Sequence, residues 1–418
     1  MKRTTKNLLI VGVFVVVYFV LPTLRVDLTM PMIAAGFGVF VVANLLHDAD
    51  RSRRIRAAQR LAAADPVLQN LVVYVGGWDG SVSALAANDG AVCWRTAVGA
   101  AGLSIAATPT VSLGTVYVGS HDCCLHAIDA KSGSPRWGYQ TGGTVASAPA
   151  VSGVIVYLGS NDDHVYAVDS RDGSLCWRFQ SGGDVCSGPA VVDGVVYVGS
   201  DDHQVYALTA QDGALLWSYR TGGAVSSSPA VVDGVVYVGS HDHHLYALDA
   251  RDGSLRWRHK TGEPIITAPS VAEGLIFVAS HDQFVYALDV RSGKPRWRHQ
   301  TGGGRSSPVV VDGVVYVGSG GLGKYDGRTS QPSLFQQGNV WALRAGDGKF
   351  LWRHYLGTES AASTPAVTQG VVYVSASGHS SSSYTNVYAL RAHDGTLLWK
   401  SPSGIGGAYG ISVAVALR

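Results

Sequence analysis

Residues 235–274 read VVYVGSHDHHLYALDARDGSLRWRHKTGEPIITAPSVAEG, and this unit decides the fold. Three runs, VVYVGS, LYALDA and LRWRHKT, alternate and are rich in β-branched and aromatic residues, as strands are. HDHH and RDGS separate them as turns, and a fourth run, IITAPSV, follows TGEP. The unit recurs. Trp257 lies in its third run, and Trp94, Trp137, Trp177, Trp217, Trp297, Trp352 and Trp399 take the same place in seven others. From Trp137 to Trp297 the step is 40 residues each time; the outer steps are 43, 55 and 47. No helix-length amphipathic pattern occurs after residue 70. A small antiparallel meander cannot bury both faces alone, so neighbouring units must stack. The spacing predicts an all-β, eight-bladed β-propeller of four-stranded antiparallel blades.

Proline orders the strands. Pro109, Pro149, Pro189, Pro229, Pro269, Pro308 and Pro365 all fall in the fourth run. Proline cannot donate to a ladder and favours a strand with a free edge. In a propeller that edge faces the axial channel, so the SSSPAV-type runs are expected innermost and the Trp runs outermost. The β-region begins mid-unit at Leu71–Val75 and ends with an inner-type run at Tyr409–Leu417. The C-terminal strand is therefore expected to complete the first blade and remove the open edges.

Every unit carries Ala-x-x-x-x-x-Gly-x-x-x-Trp, as in Ala247/Gly253/Trp257 and Ala389/Gly395/Trp399. Asp129, Asp169, Asp249 and Asp289 extend it to Ala-x-Asp-x-x-x-Gly-x-x-x-Trp. This resembles the tryptophan-docking motif of pyrroloquinoline-quinone-type (PQQ-like) β-propellers, over roughly residues 70–418. The resemblance implies that the Trp rings dock between blades. It also implies one of two functions: quinoprotein dehydrogenase chemistry, or cofactor-free protein binding as in BamB-like members. The Asp position holds Ala86, Thr209, Arg344 and Arg391 in four units, whose turns are expected to lose a cap.

The N-terminal region differs in composition. Leu8–Leu21 is wholly apolar and Met30–Leu46 nearly so, with Arg25 and Asp27 between them. Residues 1–46 read as a membrane anchor of two transmembrane helices, and no small-residue cleavage site follows the first stretch. A buried helical hairpin is the bland alternative. Lys2, Arg3 and Lys6 precede the pair, and Arg51, Arg53, Arg54, Arg56 and Arg60 follow it. The positive-inside rule then places both ends, and the propeller, in the cytoplasm. A single span would place it outside, where members of the resembling family mostly reside. Residues 47–69 read as a basic helical linker stopped by Pro66, either solvated or touching anionic headgroups. Residues 70–418 form the propeller.

Net charge is +2, and no nucleic-acid signature follows. Five cysteines at irregular spacing imply no disulfide framework. Quinoprotein alcohol dehydrogenases of the resembling family carry a disulfide between neighbouring cysteines beside the quinone, so the resemblance makes the adjacent Cys123 and Cys124 cofactor-binding candidates for PQQ with calcium. They fall at a hairpin tip whose counterparts vary freely, and the residues themselves read as an exposed turn. No match to the family's calcium-ligating Glu/Asn set or catalytic Asp is found, so no cofactor and no catalytic residue are expected. Cys123, Cys124, His121 and His126 are also chemically suited to a metal, but no metal is assigned.

Asp79, Asp122, Asp162, Asp202, Asp242 and Asp282 share one tip position, where an Asx-turn explains them. The tip histidines vary more between units, and His203, His243 and His244 are candidates for a polar binding face. Units seven and eight replace the short tip with Gly320–Asn339 and Ser375–Asn386. Long loops on a rigid scaffold are where specificity resides. Tyr325, Phe335 and Tyr384 are candidate aromatic anchors, and a tolerated Ser/Gly-rich insertion is the plain alternative. The favoured function is a membrane-anchored, non-catalytic scaffold for protein partners of unknown identity. The alternatives are a PQQ-dependent dehydrogenase and a small-ligand sensor at the channel mouth.

Overall fold

The computed structural model describes residues 55–60, 62–77, 79–98, 103–105, 107–320, 338–357, 359–361, 363–377, 384–401, 405–406 and 413–417. The apolar stretches Leu8–Leu21 and Met30–Leu46 lie outside the described residues, as do Trp78, Tyr325 and Phe335. Among the described residues no helix is long and apolar enough to cross a membrane.

Eight antiparallel sheets form among the described residues, seven of them led by four strands consecutive in sequence. In the fifth they are Ala230–Val232, Val235–Gly239, His244–Asp249 and Leu255–Lys260, from axis to rim. Sheet eight adds a short fifth strand, Ile405–Gly406, against its third. Sheet one takes its inner strand from the far end of the chain: Leu71 pairs with Leu417 and Tyr74 with Ala414. The short inner strands each pack beside those of both flanking blades, Ala414–Leu417 included, and so close a ring. The eight-bladed architecture is as the repeat predicts.

The prolines mark the inner strands differently from expectation. Pro149 and Pro229 sit just before Ala150–Ser152 and Ala230–Val232 rather than inside them. The missing N–H then falls where no ladder donor is required.

The middle strands do not alternate in burial. Val235–Gly239 is buried throughout, as are Leu245–Asp249 of the next strand. Each blade is covered on both faces by its neighbours, so inward and outward positions are equally dry. The outer strand, Leu255–Lys260, by contrast alternates between exposed and half-buried positions. In every blade the register slips after the motif Ala, which leaves that Ala opposite the Trp: Ala207 faces Trp217 and Ala247 faces Trp257. The small side chain leaves room for the indole to lean toward the next blade.

There each indole finds the same target. Trp177 Nε1 donates to the carbonyl of Ala210 at 3.0 Å, and Tyr157 donates its hydroxyl to the same oxygen at 3.1 Å. The pattern runs around the ring, from Trp94 on Ala130 to Trp399 on Ala87. The ring also lies on the next blade's motif glycine. A Cβ on Gly213 would come within 2.6 Å of Trp177 Cε3, and its φ of +72° already disfavours a side chain. Blade six has Phe277 in place of the Tyr, with its ring 5.8 Å from Trp297.

The motif aspartates cap their turns as expected. Asp249 accepts from the Arg251 N–H and pairs with the Arg251 and Arg256 guanidiniums. Three of the four turns expected to lose a cap keep substitutes: Arg344 pairs with Asp347 and Arg391 with Asp394, reversing the charges, and Thr209 Oγ1 accepts from the Ala214 N–H.

Deleting residues 413–418 should expose the inner edge of Leu71–Gly76 and cause insolubility or a large fall in melting temperature; a truncated chain that melts like the full one refutes closure. Trp177 is 8% exposed, so Trp177→Ala should cost about 3–5 kcal/mol in denaturant unfolding. Tyr157→Phe should cost only about 1 kcal/mol, since one of two donors to the carbonyl remains.

Candidate functional site

The hairpins joining second and third strands gather at one end of the propeller, beside the segments that lead into the inner strands. Their four tip positions point to different places. The first backs onto the lead-in: His121, Asn161, Asp201, His241 and His281 donate their backbone N–H groups to Ser104, Thr144, Asp184, Ala224 and Pro264.

The second position is the repeated aspartate, and it is structural. Asp242 Oδ1 accepts from the His244 N–H at 3.0 Å, the Asx-turn expected from sequence. Its Oδ2 accepts from the Gly222 N–H at 2.8 Å in the connector from the previous blade, and also from the Tyr246 hydroxyl. Asp162, Asp202 and Asp282 repeat both of these connections. Burial opposes ionisation of Asp242, but donation from Tyr246, Gly222, His244 and Ser240 outweighs it and holds the carboxyl below its ordinary value.

The third position carries positive φ: 75° at His203, 71° at His243 and 65° at Cys123. His203 and His243 are tied down by their backbone carbonyls, which accept from Thr221 and Thr261. The imidazole of His243 reaches the Gly262 carbonyl at 3.1 Å. His244, at the fourth position, turns Nδ1 to the Asp242 carbonyl at 3.0 Å and lies 5.9 Å from the Tyr246 ring. These three histidines are separately engaged, each by its own turn.

The structure brings together a different set, at the first tip position and the adjoining lead-ins. Cys186 Sγ lies 3.4 Å from Asn161 Oδ1. Ser226 Oγ donates to Asp201 Oδ1 at 3.0 Å and lies 3.1 Å from His241 Nε2. Asp184, Cys186 and Asp201 converge closely enough to share an ion. Burial, then Asp201 and Asp184, push the Cys186 thiol up to about 11. Burial, then Asp163 and Asp201, raise the Asp184 carboxyl. On the other side of Ser226, burial, then Arg305 and His241, lower His281, whose Nε2 is buried without a hydrogen-bond partner. An acidic sector from blades three and four thus grades into an imidazole and guanidinium sector from blades five to seven. The sequence shows these residues in the tips, but not that the first tip position, rather than the third, converges between blades.

The two long loops have a shared footing. Ser360 Oγ donates to the Gly320 carbonyl at 2.7 Å, and Ser360 pairs with Ser377. Next to it, Glu359 accepts from Asn386 Nδ2, the Tyr388 hydroxyl and Lys400 Nζ, each at 2.9 Å. Glu359 gives Tyr388 the carboxylate that tip aspartates give Tyr166 and Tyr246. The loop interiors and the side chain of Tyr384 lie outside the described residues.

Cys123 and Cys124 are separate thiols. Cys124 pairs across to Gln140 on the outer strand, with Sγ 2.9 Å from Gln140 Oε1, and so faces the rim side of blade two. The acidic pair at the lead-ins shares its space with a thiol, whereas calcium takes oxygen donors throughout. These donors do not fit a quinone–calcium pair.

The sequence profile described as outer membrane protein assembly factor BamB matches residues 78–186, 161–265, 224–332 and 333–416. The chain belongs to that PQQ-like, BamB-type repeat family. Among solved structures, BamB from Moraxella catarrhalis is 19% identical with a TM-score of 0.59, over 78% of this chain and 92% of that one. The computationally designed Ika8 protein is 17% identical with a TM-score of 0.60, over 72% and 89%. Quinohemoprotein alcohol dehydrogenase from Comamonas testosteroni is 16% identical with a TM-score of 0.61, over 84% and 72%. At these identities the likeness establishes the fold alone. No curated protein sequence matches the chain.

A carboxyl held below its ordinary value stabilises the fold above the unfolded-state pKa of about 3.9, and that contribution is lost as pH falls through the folded-state value. Asp242→Asn should therefore cost about 1–3 kcal/mol at neutral pH. Its melting temperature should fall less steeply than the wild type's below pH ~4. Parallel acid profiles for the two proteins count against this role for Asp242.

Proposed function

We propose that this chain is a membrane-anchored propeller that holds protein partners and performs no catalysis itself. The carrying observation is the common footing of the two long loops on Glu359 and Ser360. It brings the roots of the two large departures from the repeat side by side on a face that is otherwise short-tipped. Membership of a family described by an outer membrane assembly factor supports the protein-binding reading. The apolar stretches Leu8–Leu21 and Met30–Leu46, flanked by basic residues, support an anchor of two spans with the propeller in the cytoplasm. The extracytoplasmic placement is the alternative.

Two measurements test the proposal. Shortening Gly320–Asn339 and Ser375–Asn386 to tight Asp-Gly tips should leave the melting temperature within a few degrees, since the blades close without them. It should also abolish recovery of a stoichiometric partner from native membranes; unchanged recovery rejects the loop face. A quinone absorbance that co-elutes after addition of PQQ and calcium, with dye reduction by alcohols, overturns the non-catalytic reading in favour of the dehydrogenase. Topology is read separately. A phosphatase fused through a linker after Arg418 should stay inactive if the propeller is cytoplasmic, and strong activity reverses the placement.

A further inference from the structure

Blade two departs from the repeat at two positions of one strand, both toward metal-binding chemistry. Where blades three to six place Tyr166, Tyr206, Tyr246 and Tyr286 against the tip aspartate, blade two places His126, with Nε2 2.9 Å from Asp122 Oδ2. Two residues earlier, where those blades carry His164, Gln204, His244 and Phe284, blade two carries Cys124. Positions two apart on a strand share a face, and Asp122, Cys124 and His126 offer donor atoms that all lie within 4.8 Å of one another. The side chains of His126 and Asp122 are only 15% and 11% exposed. The fold does not explain the pair of changes: a Tyr suffices to hold the aspartate, and the Cys position accepts His, Gln or Phe.

We infer that Asp122, Cys124 and His126 form a binding site for a zinc-type, borderline-soft divalent cation. One carboxylate oxygen, one thiolate and one imidazole nitrogen make a three-ligand set of the kind zinc accepts, leaving a fourth tetrahedral position for water or for Gln140 Oε1. Bond lengths of about 2.0–2.3 Å require donors roughly 3.5 Å apart, which side-chain rotations can supply from the present spacing. Binding replaces the His126–Asp122 hydrogen bond with two metal bonds; the proton that bridged them passes to His126 Nδ1 as the ring changes tautomer, and the Cys124 thiol proton goes to solvent. The neighbouring Cys123 has positive φ and sits outside the set.

Full-length protein stripped with a chelator, then equilibrated with zinc and desalted, should retain one zinc per chain by elemental analysis. Cobalt in its place should give a thiolate-to-metal charge-transfer band. Cys124→Ser should remove both signals. His126→Tyr restores the residue used by blades three to six, so it should remove both while keeping the melting temperature. Cys186→Ser, at the second thiol-bearing cluster, should keep both. The inference fails if the wild type retains no stoichiometric zinc, if Cys124→Ser binds like the wild type, or if Cys186→Ser is the variant that loses the metal.

Discussion

One backbone carbonyl per blade, accepting from an indole and, everywhere but beside Phe277, from a neighbouring ring hydroxyl as well, is the contact on which the rest of the structure depends. At Ala210, Trp177 and Tyr157 converge from the preceding blade. The carbonyl is fixed by the turn between third and outer strands, the turn is fixed by a glycine at positive φ, and that glycine also supplies the flat floor for the indole. The bulge and the motif Ala complete the arrangement by aiming the Trp. Changing any one member disturbs the others, so the repeat is kept as a unit. Because the same geometry recurs in all eight blades, each is set at a similar angle to the next and the circle shuts.

A second belt of contacts lies at the tips, where a carboxylate links each of blades three to six to the connector from the blade before. Blades seven and eight keep the logic with other groups. Trp341 donates to Ser319 Oγ, and Glu359 serves Tyr388 from the lead-in rather than the tip. In blade eight the carboxylate that holds the tyrosine thus stands off the hairpin that carries the long loop.

The Trp period made the blade count legible, because a large planar side chain can recur at one spacing only if each copy meets the same environment, and the prolines of the fourth runs made the strand order legible. The role of the motif Ala was not legible, since facing Trp217 across a bulge is a matter of register rather than composition. Arg344 and Arg391 looked like lost caps, yet each finds an aspartate three residues on, a pairing visible in sequence once the charges are allowed to swap. The tips were hardest. Strand alternation does not extend through a turn, so nothing in HDHH said that His241 meets Ser226 while His243 is held at its own connector. Blade two was legible only by comparison, as the single unit in which the His–Tyr, Gln–Tyr or Phe–Tyr strand start becomes Cys124 and His126.

The seam between blades eight and one has a consequence for the order of events during synthesis. Blades two to eight are each continuous in sequence, and each can dock on its predecessor soon after leaving the ribosome. Trp399, by contrast, reaches a carbonyl 312 residues upstream, and the first sheet waits for Ala414–Leu417, the last of the propeller's described strands in chain order. Until then the nascent chain is an open arc with two unpaired ends. The entropy of joining such distant segments grows only slowly with separation, so the delay is set by translation rather than by the search. The period of greatest vulnerability to misassembly is therefore the whole interval in which blade one is present and its inner strand has yet to be made.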